Sequence, residues 1–344
     1  MRDLACQTFP LVCPACRQVT PEAISLYTVS VETQPDEARA ADGSLVAGRL
    51  RCQNPACRRA YPVVDGVPLL VPDLARLLGT EVGQLLDGNL PFSVAAALVE
   101  AGDDQAPLPR LWDHLSIYTD AHWGDLTTPP SSPARALWDK LAARATAPVA
   151  RAVELGASVG RGVAELCRGA DHAVGVDLHV GAMRRARALL DGAEVVWGRR
   201  HLGRHYRPVS TRPAQLASAK ATFVVGDALD PPLAPAAFGR VVAFNLIDSL
   251  RSPSGLLSVV DGLCAPGGEL LLSSPFAWNS QIVDEAERPG GDDPAGWLRA
   301  RLTTGEGLSA AYTIEDEDEL PWSLRRDDRS VTTYRTCYLR ARKH

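Results

Sequence analysis

Arg151-Ala-Val-Glu-Leu-Gly156-Ala-Ser-Val-Gly160-Arg-Gly162 decides the fold. A short apolar run ends on a carboxylate, Glu154, and three glycines carry the chain toward a helix. Glycine permits the left-handed backbone and lets amides approach a ligand, and a helix N-terminus adds donors for a carboxylate or phosphate. The spacing differs from the dinucleotide pattern Gly-x-Gly-x-x-Gly. Two further carboxylates follow at the ends of apolar runs. Asp177, in Val174-Gly-Val-Asp177-Leu-His179, stands 21 residues after Gly156. A carboxylate there accepts from both ribose hydroxyls of an adenosine that lacks a 2′-phosphate. Gly226-Asp227-Ala228 offers a carboxylate and an amide to an adenine edge.

Outward from this stretch, short apolar runs alternate with helical segments, the pattern of a doubly wound parallel sheet. Strands are expected at Arg151 to Leu155, Ala173 to Leu178, Ala221 to Asp227, Arg240 to Ile247 and Glu269 to Ser274. Ser309 to Asp316 and Ser330 to Arg342 read as a closing antiparallel pair. The acidic run Glu315 to Glu319 reads as a solvated turn, and a helix is expected from Ala134 to Thr146. The stretch from Val195 to Gly226 has no acidic residue and holds Arg199, Arg200, Arg204, Arg207 and Arg212 with His201 and His205. It reads as a basic insertion that is either a solvated loop or a grip for an anion.

The 344 residues carry 36 basic and 41 acidic side chains, a formal charge of −5, with 46% apolar residues. That composition excludes disordered and collagen-like chains and lacks the global field of a general nucleic-acid binder. No apolar run is long enough to span a bilayer, and residues 1–16 have no signal-peptide pattern, so a cytoplasmic location is expected.

In that compartment cysteines serve as thiols or metal ligands. Cys13-Pro-Ala-Cys16 and Cys52-Gln-Asn-Pro-Ala-Cys57 are two knuckles with 35 residues between them. They can present four thiolates to one structural zinc ion, with Cys6, Cys167, Cys264 and Cys337 uninvolved. Tyr61 to Asp73 reads as an edge strand that closes this ribbon. Residues 11 to 73 resemble the zinc-ribbon family of the tRNA methyltransferase activator subunit, through the two Cys pairs and Tyr61-Pro-Val-Val-Asp-Gly-Val-Pro68. That resemblance implies a structural zinc and a role in holding a methyltransferase domain. The organisation expected is a zinc ribbon over 1–73, a helical linker and lid over 74–132, and the catalytic domain over 133–344.

The ordered set Glu154, Gly156, Gly160, Asp177, Asp227 and Ala228 resembles class I S-adenosylmethionine methyltransferases, which implies a seven-stranded Rossmann-like α/β sheet. By that pattern Glu154, Gly156 and Gly160 line the methionine end, Asp177 the ribose, and Asp227 with Ala228 the adenine. Tyr118 with His122 and Gly124, the run Asn245-Leu-Ile-Asp248, the turn Ser274-Pro-Phe-Ala-Trp278 and the tail from Leu320-Pro-Trp322 to Arg326 resemble the C-terminal N-methyltransferase domain of ovothiol synthases. This implies an imidazole nitrogen of a histidine derivative, small molecule or peptide, as methyl acceptor. Asp248 is then the expected partner of the far ring N–H, or otherwise a helix N-cap, with Asn245, Tyr118 and His122 as pocket residues. Two other readings compete: an RNA base methyltransferase, disfavoured by the charge, and a non-catalytic activator, disfavoured by the intact carboxylates. Sequence gives no oligomeric state.

Overall fold

The computed structural model describes residues 11–19, 27–35, 37–79, 91–101, 106–131, 135–213 and 218–344. Its centre is a seven-stranded sheet in the order β10-β7-β6-β11-β12-β14-β13. These strands are β6 (Val149–Leu155), β7 (Ala170–Asp177), β10 (Ala221–Val225), β11 (Phe238–Phe244), β12 (Cys264–Ser274), β13 (Tyr312–Arg325) and β14 (Val331–Lys343). The first five run parallel, and β14 enters antiparallel between β12 and β13. The expected fold class is therefore the observed one. Ala221–Val225 is buried at every position, as a strand covered on both faces must be. Helices α5 (Arg161–Leu166), α6 (Val180–Leu190) and α7 (Pro253–Leu263) connect the parallel strands. Ser252 caps α7 by accepting the Gly255 N–H, and Pro253 follows at the first turn.

A second, five-stranded sheet precedes it, with β1 (Val29–Glu32), β2 (Ala38–Arg39), β3 (Leu45–Cys52), β4 (Ala60–Val64) and β5 (Val67–Pro68). The short helix α1 (Pro14–Val19) carries the first cysteine knuckle. Tyr61 to Asp73 is a hairpin where a single edge strand was expected, because Asp65 (φ 50°) and Gly66 (φ 77°) turn the chain between β4 and β5. Beyond the turn, Leu69 bridges Val225 in parallel and the Leu70 N–H donates to Val225 O (2.9 Å), so the small sheet joins the large one at its β10 edge. Arg17 pairs with Asp230 (2.6 Å) and Arg184 with Asp65 (2.6 Å) across the same junction. One hydrophobic cluster runs through it, joining Leu11, Leu45 and Leu50 to Val224 and Leu233.

Between the two sheets in chain order come α2 (Phe92–Ala101), α3 (Pro107–Trp123) and α4 (Arg135–Ala142). The expected helix from Ala134 ends its α-helical part at Ala142, continues as a 3-10 turn over Ala143–Thr146, and has its first residue outside the described residues. The basic stretch is a β-hairpin, β8 (Val195–Leu202) with β9 (His205–Thr211), and not a loop. The edge contact of Trp112 with Tyr206 holds it against α3, and Trp197 is fully buried. The acidic run Glu315 to Glu319 lies inside β13 and forms no turn. Its carboxylates lie beside basic groups: Glu315 with Arg342 (3.1 Å), Asp316 with Lys140 (3.0 Å), Glu319 with Arg335 (3.5 Å). The remaining helix, α8 (Pro294–Thr304), packs beneath β13 and stops at Gly305 in the left-handed region (φ 70°). No described helix is long and apolar enough to cross a membrane.

Candidate active site

A cavity of about 360 Å³ opens at the carboxyl ends of β6, β7 and β11, where ligands bind in open α/β sheets. Its floor is the loop after β6. Gly156 takes φ 74° there, and a Cβ on it would sit 2.9 Å from the Leu246 side chain across the cavity. Ser158 follows in the same left-handed region (φ 47°). Its N–H donates to Asp177 Oδ2 (2.9 Å), while the His179 N–H donates to Oδ1 (2.9 Å). Each carboxylate oxygen keeps a lone pair for a further donor, such as a ribose hydroxyl. Burial pushes the Asp177 carboxyl up, against the pull of those amides.

Glu154 lines the same cavity and is 2% exposed. Its Oε2 has no hydrogen-bond partner. Burial, aided by the Asp177 charge and opposed by the Val163 N–H, holds its carboxyl well above the usual range. A buried carboxylate oxygen with nothing to accept is costly, and an ammonium group would remove that cost. The residues present thus fit S-adenosylmethionine, whose methionine end carries an ammonium and whose ribose carries two hydroxyls.

The opposite wall comes from α3. Trp123 Nε1 donates to Val159 O (2.8 Å), and Arg161 bridges His122 O (3.1 Å) and Asp125 (2.9 Å), which pins the helix end to the loop after β6. Arg199 of the hairpin reaches Asp120 (3.0 Å). So anchored, α3 turns His114, Tyr118 and His122 into the cavity, facing Trp138 from α4, Phe244 from β11 and Trp322 from β13. The His122 ring lies 4.9 Å from Trp138 and edge-on to Trp322 at 5.8 Å. Burial pushes its pKa down to about 3, so the ring is neutral, and its Nδ1 has no partner. Asn245 has φ 51°, accepts the Ser273 hydroxyl on Oδ1 (3.0 Å) and leaves Nδ2 without a partner.

Of the residues expected from sequence, Glu154, Gly156, Asp177, Asn245, Tyr118 and His122 meet in this cavity. Gly160, Asp227, Ala228 and Asp248 are not part of its wall. Gly160 caps α5 at φ 81°, with Ala186 and Phe223 too close for a side chain, so packing accounts for it. Asp227 sits just past β10, accepting the Leu229 N–H (2.8 Å) and pairing with Arg251 (3.1 Å), and Ala228 is buried in the core. Asp248 is buried in a 3-10 turn and accepts the Ala277 N–H on Oδ2 (2.8 Å), so it is not a helix N-cap. His114, Trp138, His179 and Phe244 line the cavity without having been singled out. His179 had a signal: it caps α6, its Nδ1 accepting the Ala182 N–H (3.1 Å), in the motif that carries Asp177.

Away from this cavity, the Sγ atoms of Cys13, Cys16, Cys52 and Cys57 all lie within 4.8 Å of one another and could hold a metal ion. Cys13 to Cys57 spans 3.9 Å and Cys16 to Cys52 spans 3.7 Å. A tetrahedron with metal–sulfur arms of about 2.3 Å has edges of about 3.8 Å. The Tyr61 hydroxyl lies 3.0 Å from Cys13 Sγ, and Asn54 Nδ2 donates to Cys16 Sγ (3.4 Å).

No curated protein matches the chain. Among solved structures, the chain is similar to the N-methyltransferase NodS from Bradyrhizobium japonicum WM9 in complex with S-adenosylhomocysteine, at 14% identity over 68% of this chain and 98% of that one, with a TM-score of 0.42. It is also similar to the complex between the Haloferax volcanii Trm112 methyltransferase activator and its candidate methyltransferase, at 13% identity over 74% and 99%, with a TM-score of 0.41. Residues 153–272 match the family model described as a methyltransferase domain. They hold the strand-end loop, Glu154 and Asp177, so this chain carries a methyltransferase domain on a seven-stranded Rossmann-like α/β sheet.

Proposed function

We propose that the enzyme methylates an imidazole nitrogen of a histidine derivative, a small molecule or a peptide. The observation behind this reading is His122: neutral, buried among aromatic rings and unpartnered at Nδ1. With its proton on Nε2, Nδ1 accepts the far N–H of an imidazole, which keeps the attacking nitrogen unprotonated. A neutral histidine also avoids repelling the cationic product. When bound, S-adenosylmethionine supplies an electrophilic methyl group. Glu154 receives the ammonium, Asp177 the ribose hydroxyls, and Asp227 with Ala228 lie further along toward the adenine. Asn245 Nδ2 adds a donor near the methionine end. Trp138, Trp322 and Phe244 exclude water and offer ring faces to the positive charge as it passes to the acceptor. Asp248 acts in this reading through the Ala277 N–H, fixing the loops that follow β11 and β12 against each other.

In the same reading residues 1–73 form a zinc ribbon on Cys13, Cys16, Cys52 and Cys57, residues 74–132 a helical linker and lid, and residues 133–344 the catalytic domain. The protein works in the cytoplasm, where thiols stay reduced. A methyl-transfer screen against histidine, mercaptohistidine, ergothioneine-like thiols and histidyl peptides, with the methylated atom located by fragmentation, tests the acceptor. Transfer to a ring nitrogen is expected. Transfer only to sulfur, to carbon or to RNA would refute the assignment.

A further inference from the structure

The geometry points to an anion subsite beside the methyl-transfer cavity, so that the acceptor carries a carboxylate or phosphate a few bonds from its methyl-accepting atom. This deepens the small-molecule reading above and rests on it. A second cavity, of about 430 Å³, lies on the far side of His114 and Tyr118, which line both. Its wall presents Arg110 from α3, Arg200 and Arg204 from the β8–β9 hairpin, and Arg326 from the turn after β13. Among the described residues Asp113 is the lining carboxylate, and it is already engaged: the Tyr206 hydroxyl donates to it (3.0 Å) and Arg200 lies 3.7 Å away. Among the described residues, Arg110, Arg200 and Arg326 against that one carboxylate leave the concave wall positive, which concentrates the field. Guanidinium forks bind carboxylate and phosphate oxygens in pairs.

The outward groups of the hairpin argue against a nucleic-acid backbone as the occupant. His205 meets Glu100 (3.3 Å), His201 meets Asp328 (2.6 Å) and Arg207 lies 3.6 Å from the same Asp328. Acidic partners there interrupt the continuous basic stripe that phosphates along a strand would require. Arg110, Arg200 and Arg326 line a cavity that shares Tyr118 with the methyl-transfer cavity.

The test uses the full chain saturated with S-adenosylhomocysteine, titrated calorimetrically with citrate and, separately, inorganic phosphate. Wild type is compared with Arg110→Gln, Arg326→Gln and the double variant. Both arginines are exposed, so melting temperature and S-adenosylhomocysteine affinity serve as controls and should stay unchanged. Both anions are expected to compete for one site and to bind at least tenfold more weakly to the double variant. The tighter of the two identifies the group as carboxylate or phosphate. In turnover, L-histidine or histidinol phosphate should have a KM at least tenfold below that of histamine, a preference lost in the double variant. Equal anion binding by wild type and double variant, or none by wild type, would overturn the subsite. A single-stranded RNA that displaces citrate more tightly than phosphate does would overturn it in favour of a polynucleotide. If the imidazole reading alone is wrong, the anions still bind through the arginines while no imidazole compound is methylated.

Discussion

Glu154→Gln should weaken cofactor binding and at the same time relieve the unliganded fold at alkaline pH. Glutamine keeps the size of the side chain and can still accept the Val163 N–H, but in place of the unpartnered Oε2 it puts an NH₂ group facing an ammonium. Losing one charged acceptor costs about 1.5 to 3 kcal/mol, roughly a 10- to 150-fold loss of affinity. The stability effect has the opposite sign. Burial first, then the Asp177 charge, raises the folded-state carboxyl well above its ordinary value. The folded chain therefore holds a proton that the unfolded chain has released. Stability is fully present below the ordinary glutamate range of about 4.3 and falls as pH rises toward the folded value, by about 1.4 kcal/mol per pH unit. Asp177 and Asp248 are also shifted upward, but both proteins keep them, so the difference between wild type and variant isolates Glu154.

Calorimetry with S-adenosylmethionine in two buffers of different ionisation enthalpy measures affinity and counts protons. Wild type should release a proton on binding near neutral pH and bind more tightly as pH rises, and the variant should do neither. Thermal melts without ligand should show Glu154→Gln at or above wild type at pH 8, with the gap closing toward pH 5. Gly162→Ala is a steric check, because its Cβ would fall 2.1 Å from Glu154 Oε1 and displace the carboxylate. Equal affinity for wild type and Glu154→Gln, or a variant that melts lower by the same margin at pH 5 and pH 8, would refute the reasoning.

Asp177→Ala should weaken cofactor binding by about 1.5 to 3 kcal/mol by calorimetry, and it should also destabilise the chain by freeing the Ser158 and His179 amides. Purified protein should contain one zinc per chain; chelation, or Cys52→Ser with Cys57→Ser, should abolish it and lower the melting temperature, and zinc content unaffected by those substitutions would remove the site. Asp248→Asn should keep the Ala277 bond and turn over within a few-fold of wild type once an acceptor is known, whereas a loss near 10²-fold with unchanged cofactor affinity would return Asp248 to direct contact with the substrate.

The five parallel strands were legible because each is an apolar run that ends on a recognisable residue, Glu154 or Asp177 for the two that carry the cofactor loop. The acidic segment of β13 misled for a physical reason. Along this edge strand Glu315 meets Arg340 and Arg342, Asp316 meets Lys140 and Glu317 meets Arg299, so each carboxylate has a cation beside it. Those partners come from β14, α4 and α8, so no local window contains the compensation. The basic hairpin misled in the same way. Its charges are obvious in sequence, but Tyr206, which holds it onto α3, looks like an isolated aromatic until Trp112 is known to face it.

The two halves of the site therefore differ in how they are encoded. The cofactor side is built by residues at the ends of adjacent parallel strands, so its spacing in sequence follows the repeat of strand and helix, and a motif can record it. The proposed acceptor side is built by a helix upstream of the sheet, which brings Tyr118 and His122, and by an edge strand near the end of the chain, which brings Trp322. Nothing in their spacing requires them to meet; they meet because Arg161, Trp123 and Arg199 clamp α3 over the strand ends. Acceptor specificity thus depends on contacts that can change without disturbing Glu154, Gly156 or Asp177. The methyltransferase reading could be made from one stretch of sequence, while the wall proposed to face the acceptor exists only in the assembled fold.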